Sequence, residues 1–115
     1  MIDPRFTRQL FQAKPPNTAA YSVLRKAAKR KVILLNIQVV NTTGSAAVYS
    51  IYLDKDGTTY DENTALVFNA SLAANTAALH QWTDGLPMDA GTEGNIAIKV
   101  GTANAITFTG NGIEA

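Results

Sequence analysis

Apolar residues in this chain recur at every second position in short runs, and Gly, Asn, Asp or Pro turn signals separate the runs. Side chains two apart share one face of a β-strand, so the pattern commits the chain to half-buried strands. Val32 to Asn41 (VILLNIQVVN) is the clearest run. Its odd positions Ile33, Leu35, Ile37 and Val39 are all apolar, whereas Asn36 and Gln38 are polar. The spacing predicts a central strand with the odd set on the core. Thr42-Thr43-Gly44-Ser45 supplies a turn, and Ala46 to Leu53 alternates again, with Ala47, Tyr49, Ile51 and Leu53 on one face. These two runs are expected to pair as a β-hairpin. Asn95 to Val100 points Ile96, Ile98 and Val100 inward with Ala97 and Lys99 outward, and Ala105 to Thr109 sets Ile106 beside Phe108.

Weaker strand signals lie at Ala65 to Phe68 and Ala77 to Trp82, on either side of an alanine-rich middle. Asp54 to Gly57, Asp84 to Pro87 and Gly101 to Asn104 read as turns. Gly110, Asn111 and Gly112 are expected to loosen the end of the chain. Thr18 to Leu24 has β character. It reads as a strand leading into the basic turn Arg25 to Lys31, or with that turn as a short amphipathic helix, and the strand is preferred. About seven to nine short antiparallel strands with turns between them predict an all-β protein, a jelly-roll-like β-sandwich.

At 115 residues the chain suits one domain. Lys14-Pro15-Pro16-Asn17 breaks any regular element, since consecutive prolines fix φ and donate no ladder bond. It divides an extended N-terminal arm, residues 1–17, from a single sandwich domain, residues 18–115. Phe6 to Ala13 reads as that arm or as an edge strand. The chain contains no cysteine, so disulfides, thiolate metal sites and a cysteine nucleophile are excluded together. The apolar run Val32 to Val40 is about half the length of a membrane helix, so no membrane partner is expected.

Charge is unevenly distributed. Residues 1–31 carry eight Lys and Arg against one acid, +8 − 1 = +7, and the remainder carries +2 − 8 = −6. The total of +1 hides a basic start and an acidic body, which can attract copies of the chain or an acidic neighbour. The charged fraction of 17% is low against the usual ~25%, as expected of a surface that meets other subunits or of a neutral, Thr/Asn/Ala-rich surface on a monomer, and the first is preferred.

No catalytic constellation stands out. His80 is the only histidine, and no serine has nucleophile-elbow spacing. Asp54 to Glu62 gathers four carboxylates but departs from the EF-hand order, leaving a solvated loop or a weak cation site. No cofactor or metal is expected. The basic run Arg25, Lys26, Lys29, Arg30 and Lys31 reads as a solvated turn, as a patch that docks on acidic neighbours, or as a phosphate-binding patch. Aromatic residues that would stack bases are missing from it, which disfavours nucleic acid. Trp82, Tyr52 and Tyr60 are candidates for stacking on sugar rings, with Tyr52 expected to be exposed or at a subunit contact.

The stretch Tyr21 to Gly57 resembles small structural proteins of tailed-bacteriophage virions. The resemblance is carried by Tyr21-Ser22-Val23, the basic turn Lys29 to Lys31, the turn Val39-Val40-Asn41-Thr42-Thr43-Gly44-Ser45-Ala46-Ala47, and the strand Tyr49 to Leu53. The closing segment, residues 94–115, is similar in style. Leu24 stands where a proline often follows the Tyr-x-Val segment. The resemblance implies a non-enzymatic β-sandwich fixed in a virion, often as a trimer. It would decorate or cement the capsid against partners such as the major capsid protein; a tail, baseplate or fibre module, possibly binding a receptor or carbohydrate, is the alternative. Phe6, Arg8, Leu10 and Phe11 would then be arm residues touching a neighbour, with the five basic residues of the turn making polar contacts.

Overall fold

The computed structural model describes residues 8–26, 32–54, 59–88 and 94–114. They form eight strands: β1 (Arg8–Ala13), β2 (Tyr21–Lys26), β3 (Val32–Asn41), β4 (Ala47–Asp54), β5 (Ala65–Leu72), β6 (Ala77–Met88), β7 (Gly94–Val100) and β8 (Ile106–Glu114). One four-stranded sheet has the order β1-β8-β3-β6 and the other β2-β7-β4-β5, with every described pairing antiparallel. Strand one pairs with eight, two with seven, three with six and four with five. The chain is therefore one long folded-back ribbon, bent between β4 and β5 and rolled up so that β3 meets β8 and β4 meets β7. This is the double Greek key of a jelly roll.

The core lies between the sheets. Ile37, Val39, Ile51, Ile96, Ile98, Ile106 and Phe108 are fully buried there. The inward set expected on β7 (Ile96, Ile98, Val100) and on β8 (Ile106, Phe108) is the observed one.

The pattern on β3 holds for only half its length. Val32 and Leu34 are buried, not Ile33 and Leu35, because Leu35 is an extra residue in a bulge between Leu34 and Asn36. Beyond it Ile37 and Val39 point inward as the alternation requires. One added residue turns every later side chain to the opposite face.

The expected hairpin between the second and third apolar runs does not form. β3 belongs to one sheet and β4 to the other, so Thr42 to Ala46 is a corner that crosses the sandwich. Asn41 builds that corner. It is fully buried, its Nδ2 donates to Ser45 O at 2.8 Å and to Leu72 O at 3.0 Å, and its Oδ1 accepts from Thr43 N at 2.9 Å and Thr43 Oγ1 at 2.8 Å. An amide that replaces backbone partners in this way lets a strand end bend sharply without orphaning polar groups.

Gly110 and Gly112 do not end β8; they admit β1. A Cβ on Gly110 would overlap the Phe11 ring, and one on Gly112 would overlap Ile33 O. Gly110 leaves room for Phe11 to enter the core, where it is 7% exposed. Likewise Asp84 to Pro87 does not stop β6, which continues to Met88. Its register against β3 jumps from Gln81 to Leu86, and Gly85 in that jump has a φ of 82°.

Candidate assembly surfaces

The rolled topology sorts the connections into two ends. β1–β2, β3–β4, β5–β6 and β7–β8 turn at one end, over residues 14–20, 42–46, 73–76 and 101–105. These loops are tied to one another. Asn104 N donates to Pro15 O at 2.9 Å, Thr42 N to Ala105 O at 3.1 Å, and Asn75 N to Thr43 O at 3.1 Å. The Pro15-Pro16 segment, expected to divide the arm from the sandwich, is thus anchored through the Pro15 carbonyl. Lys14 is the one charged residue of these four loops. The opposite end carries Arg8, Arg25, Lys26, Asp54, Asp61, Glu62 and Glu114, at strand ends or in the β4–β5 connection. Basic and acidic residues far apart in sequence are therefore gathered at one end, and the braced end is nearly uncharged.

A second uncharged surface covers the outside of the β1-β8-β3-β6 sheet. The register aligns Gln9, Asn111, Asn36 and Gln81 in one row across four strands, and Gln12, Thr109, Gln38 and Leu79 in another. Asn111 Nδ2 donates to Asn36 Oδ1 at 3.0 Å and Gln12 Nε2 to Thr109 Oγ1 at 3.1 Å. No Asp, Glu, Lys or Arg stands in either row. A hollow of about 370 Å³ lies beside the first, lined by Arg8, Gln9, Leu35, Asn36 and Asn111.

Of the residues expected to touch a neighbour, Arg8 is exposed at the start of β1 and borders that hollow. Leu10 is half-buried and packs on the core, and Phe11 is a core side chain. Arg25 and Lys26 end β2 opposite Asn95 and Gly94. Phe6, Lys29, Arg30 and Lys31 lie outside the described residues. The exposed Leu79, at 55%, and the amide rows were not singled out from sequence; the rows exist only once the strand order is known.

The remaining candidates have structural partners. His80 points between the sheets, where its Nε2 and the buried Tyr49 hydroxyl share a hydrogen bond at 2.5 Å. Burial pushes the Tyr49 hydroxyl above its ordinary pKa and the His80 imidazole below its own. Tyr52, expected at the surface, is 2% exposed and has the Tyr60 ring 6.1 Å away. Trp82 packs against the core. Neither ring is a free sugar platform. In the acidic loop Asp54 Oδ2 accepts from Thr59 N at 2.7 Å and Asp61 Oδ1 from Asn63 N at 2.8 Å, so both act as turn caps, while residues 55–58 lie outside the described residues. Among the described residues no three His, Cys, Asp or Glu side chains are grouped to hold a metal, and no helix is long and apolar enough to cross a membrane.

No protein-family model matches the chain, and no curated protein sequence matches it. Solved structures do match. A chain in the crystal structure of the T13 IBDV viral particle, work on the evolution of icosahedral viruses, superposes with a TM-score of 0.54 over 94% of this chain at 15% identity. This chain shares its fold with a component of a virus particle. It spans 30% of that longer chain. A chain in the structure of infectious bursal disease virus strain Gx superposes with a TM-score of 0.47, also at 15% identity, over 94% of this chain and 32% of its own length.

Proposed function

We propose that this protein is a non-enzymatic structural component of a virion, one that decorates or cements the capsid shell through contacts between its own copies, as a trimer, and with the major capsid protein. The fold likeness to a chain of the T13 IBDV particle is the observation that carries this reading. The jelly roll suits the task physically. Its two sheets bury one core between them, so the outer faces, edges and loop ends are available to neighbours. The nearly uncharged braced end and the amide rows support it further, because interface cores are depleted in charge and a held loop loses little entropy on docking. The structural neighbours come from infectious bursal disease virus, so a tailed phage as the source rests on the resemblance of Tyr21 to Gly57 alone.

In this reading the charged end steers the protein onto an oppositely charged neighbour. Changing Arg25, Lys26, Lys29, Arg30 and Lys31 together to Gln should lower occupancy on purified particles, measured by quantitative mass spectrometry. The loss should be largest near 0.05 M salt, where the wild-type advantage is least screened, and should narrow as roughly 0.5 M salt screens both proteins. Equal occupancy of mutant and wild type at every salt concentration would remove the basic residues from the mechanism.

A further inference from the structure

A sheet edge exposes unpaired N–H and C=O groups that another chain can use, and natural proteins disrupt most such edges. This sandwich has four edges: β1, β2, β5 and β6. Three are broken up. The register of β1 shifts between Gln9 and Phe11, that of β2 between Ser22 and Leu24, and that of β5 twice, with Asn69 in the left-handed region at a φ of 50°. β1 and β2 also carry Arg8, Arg25 and Lys26. The Ala77–Gln81 stretch of β6 has none of these devices. It pairs with Asn36–Val40 in unbroken register and contains no Pro, Gly, Lys, Arg, Asp or Glu.

The hydrogen-bond phase of that edge follows from one bond. Asn41 N donates to Thr76 O at 2.9 Å, which makes Asn41 and Thr76 a hydrogen-bonded pair. Such pairs alternate along an antiparallel ladder. Ala78 and His80 therefore turn their backbone groups toward β3, whereas Ala77, Leu79 and Gln81 turn theirs outward, where no described strand lies. The edge is also held in place. His80 is tied across the core to Tyr49, so the strand does not have to be ordered when a partner arrives. Leu79, 55% exposed, sits at the middle of this edge, and Phe68, 49% exposed, is on β5, the edge strand of the other sheet on the same side of the sandwich.

We propose that Ala77–Gln81 pairs antiparallel with the same segment of a second copy of this chain, about a two-fold axis at Leu79. The register is dictated by the outward groups. Leu79 faces Leu79 of the second copy, and Ala77 faces Gln81 in both directions, so the N–H and C=O of all three residues are satisfied. The self-pairing sets leucine against leucine on the outer face and small alanine against the bulkier Gln81 and His80. It brings no like charges opposite one another, because the segment has none. Two sheets of four strands become one of eight, and the uncharged amide rows continue across the junction. A two-fold contact closes on itself and joins one copy to one other; in a trimeric arrangement it ties neighbouring trimers together. The inference rests on the self-association part of the proposed function and not on the virion part.

The test uses the full chain, whose lack of cysteine makes an introduced thiol unambiguous. Facing residues of a hydrogen-bonded antiparallel pair have Cα atoms about 5.5 Å apart, within disulfide reach. Under mild oxidation Leu79→Cys should convert mostly to a covalent dimer, whereas Gln12→Cys, on the same sheet but at its other edge, should not. In hydrogen exchange the amides of Ala77, Leu79 and Gln81 should slow with rising protein concentration, and Leu79→Lys should abolish that slowing while leaving the circular dichroism spectrum unchanged. Equal cross-linking at both positions, or fast exchange of the three amides at every concentration, would overturn the proposal. So would protection that appears only when another virion protein is added, since the occupant would then be a different chain. Because the experiment needs no particles, its failure leaves the virion reading standing, and absence from particles leaves the edge pairing standing.

Discussion

Tyr49 and His80 make the one described side-chain hydrogen bond from sheet to sheet that involves a titratable base. A tyrosine with its ring against Phe108 fills core volume, and its hydroxyl needs a partner once buried. His80 supplies that partner from an edge strand, so one bond both satisfies the hydroxyl and pins β6. The cost is sensitivity to acid. Burial lowers the His80 pKa from about 6.5, so the unfolded chain takes up a proton at a pH where the folded protein resists it. Well above pH 6.5 the imidazole is neutral in both states and contributes no pH dependence. As pH falls below that value, stability should decline, until the folded-state pKa is passed. Urea titrations of wild type and His80→Gln between pH 7.5 and 5 should show a steeper loss in the wild type. Parallel curves would mean that the imidazole is solvated as freely in the folded protein as in the unfolded one. Nothing in the local sequence pointed to Tyr49, 31 positions away, as the partner of His80.

Strand existence was legible because period-two alternation is a local property. Strand partnership was less so. The Val39 to Ala47 turn reads like a hairpin connection, yet it carries the chain from one sheet to the other, and the difference lies in where the Asn41 amide goes. Its bond to Leu72 O, 31 residues away, locks the β3–β4 corner onto β5. Asn41→Ala takes the amide donor from the buried Leu72 O and the acceptor from Thr43 N, and should cost about 3 kcal/mol, a drop in melting temperature on the order of 10 °C. A change under about 2 °C by calorimetry would mean that water replaces the amide at no cost. The β3 bulge explains the other misreading. Alternation over ten residues appears continuous in sequence, but Leu35 is unpaired and hands the inward role from Val32 and Leu34 to Ile37 and Val39. Gly110 and Gly112 read as loosening signals for the same reason: a glycine gives no local sign that the Phe11 ring, about a hundred residues away, fills the place of a side chain at Gly110, or that Ile33 O and Leu10 do so at Gly112.

For the whole molecule, the informative quantity is where charge lies after rolling. Linear reading finds a basic start and an acidic body. The fold turns that division into a charged end, in which both signs meet, and a hydrogen-bonded loop end whose one charged loop residue is Lys14, beside an uncharged sheet face. Net charge and composition were available from the chain, but this arrangement needs the pairing of first strand with last. Register shifts break up the β1, β2 and β5 edges and leave the Ala77–Gln81 stretch of β6 regular and open. A protein of this form has several surfaces suited to neighbours and, among its described residues, no grouped set of metal ligands. Cryo-electron microscopy of intact particles from the source of this chain tests the account most directly. The account predicts eight-stranded density of this topology at repeated, symmetry-related positions on the shell, with the nearly uncharged loop end or the amide face against protein. Particles in which no such density occurs, with the protein recovered only from the soluble fraction, would contradict it.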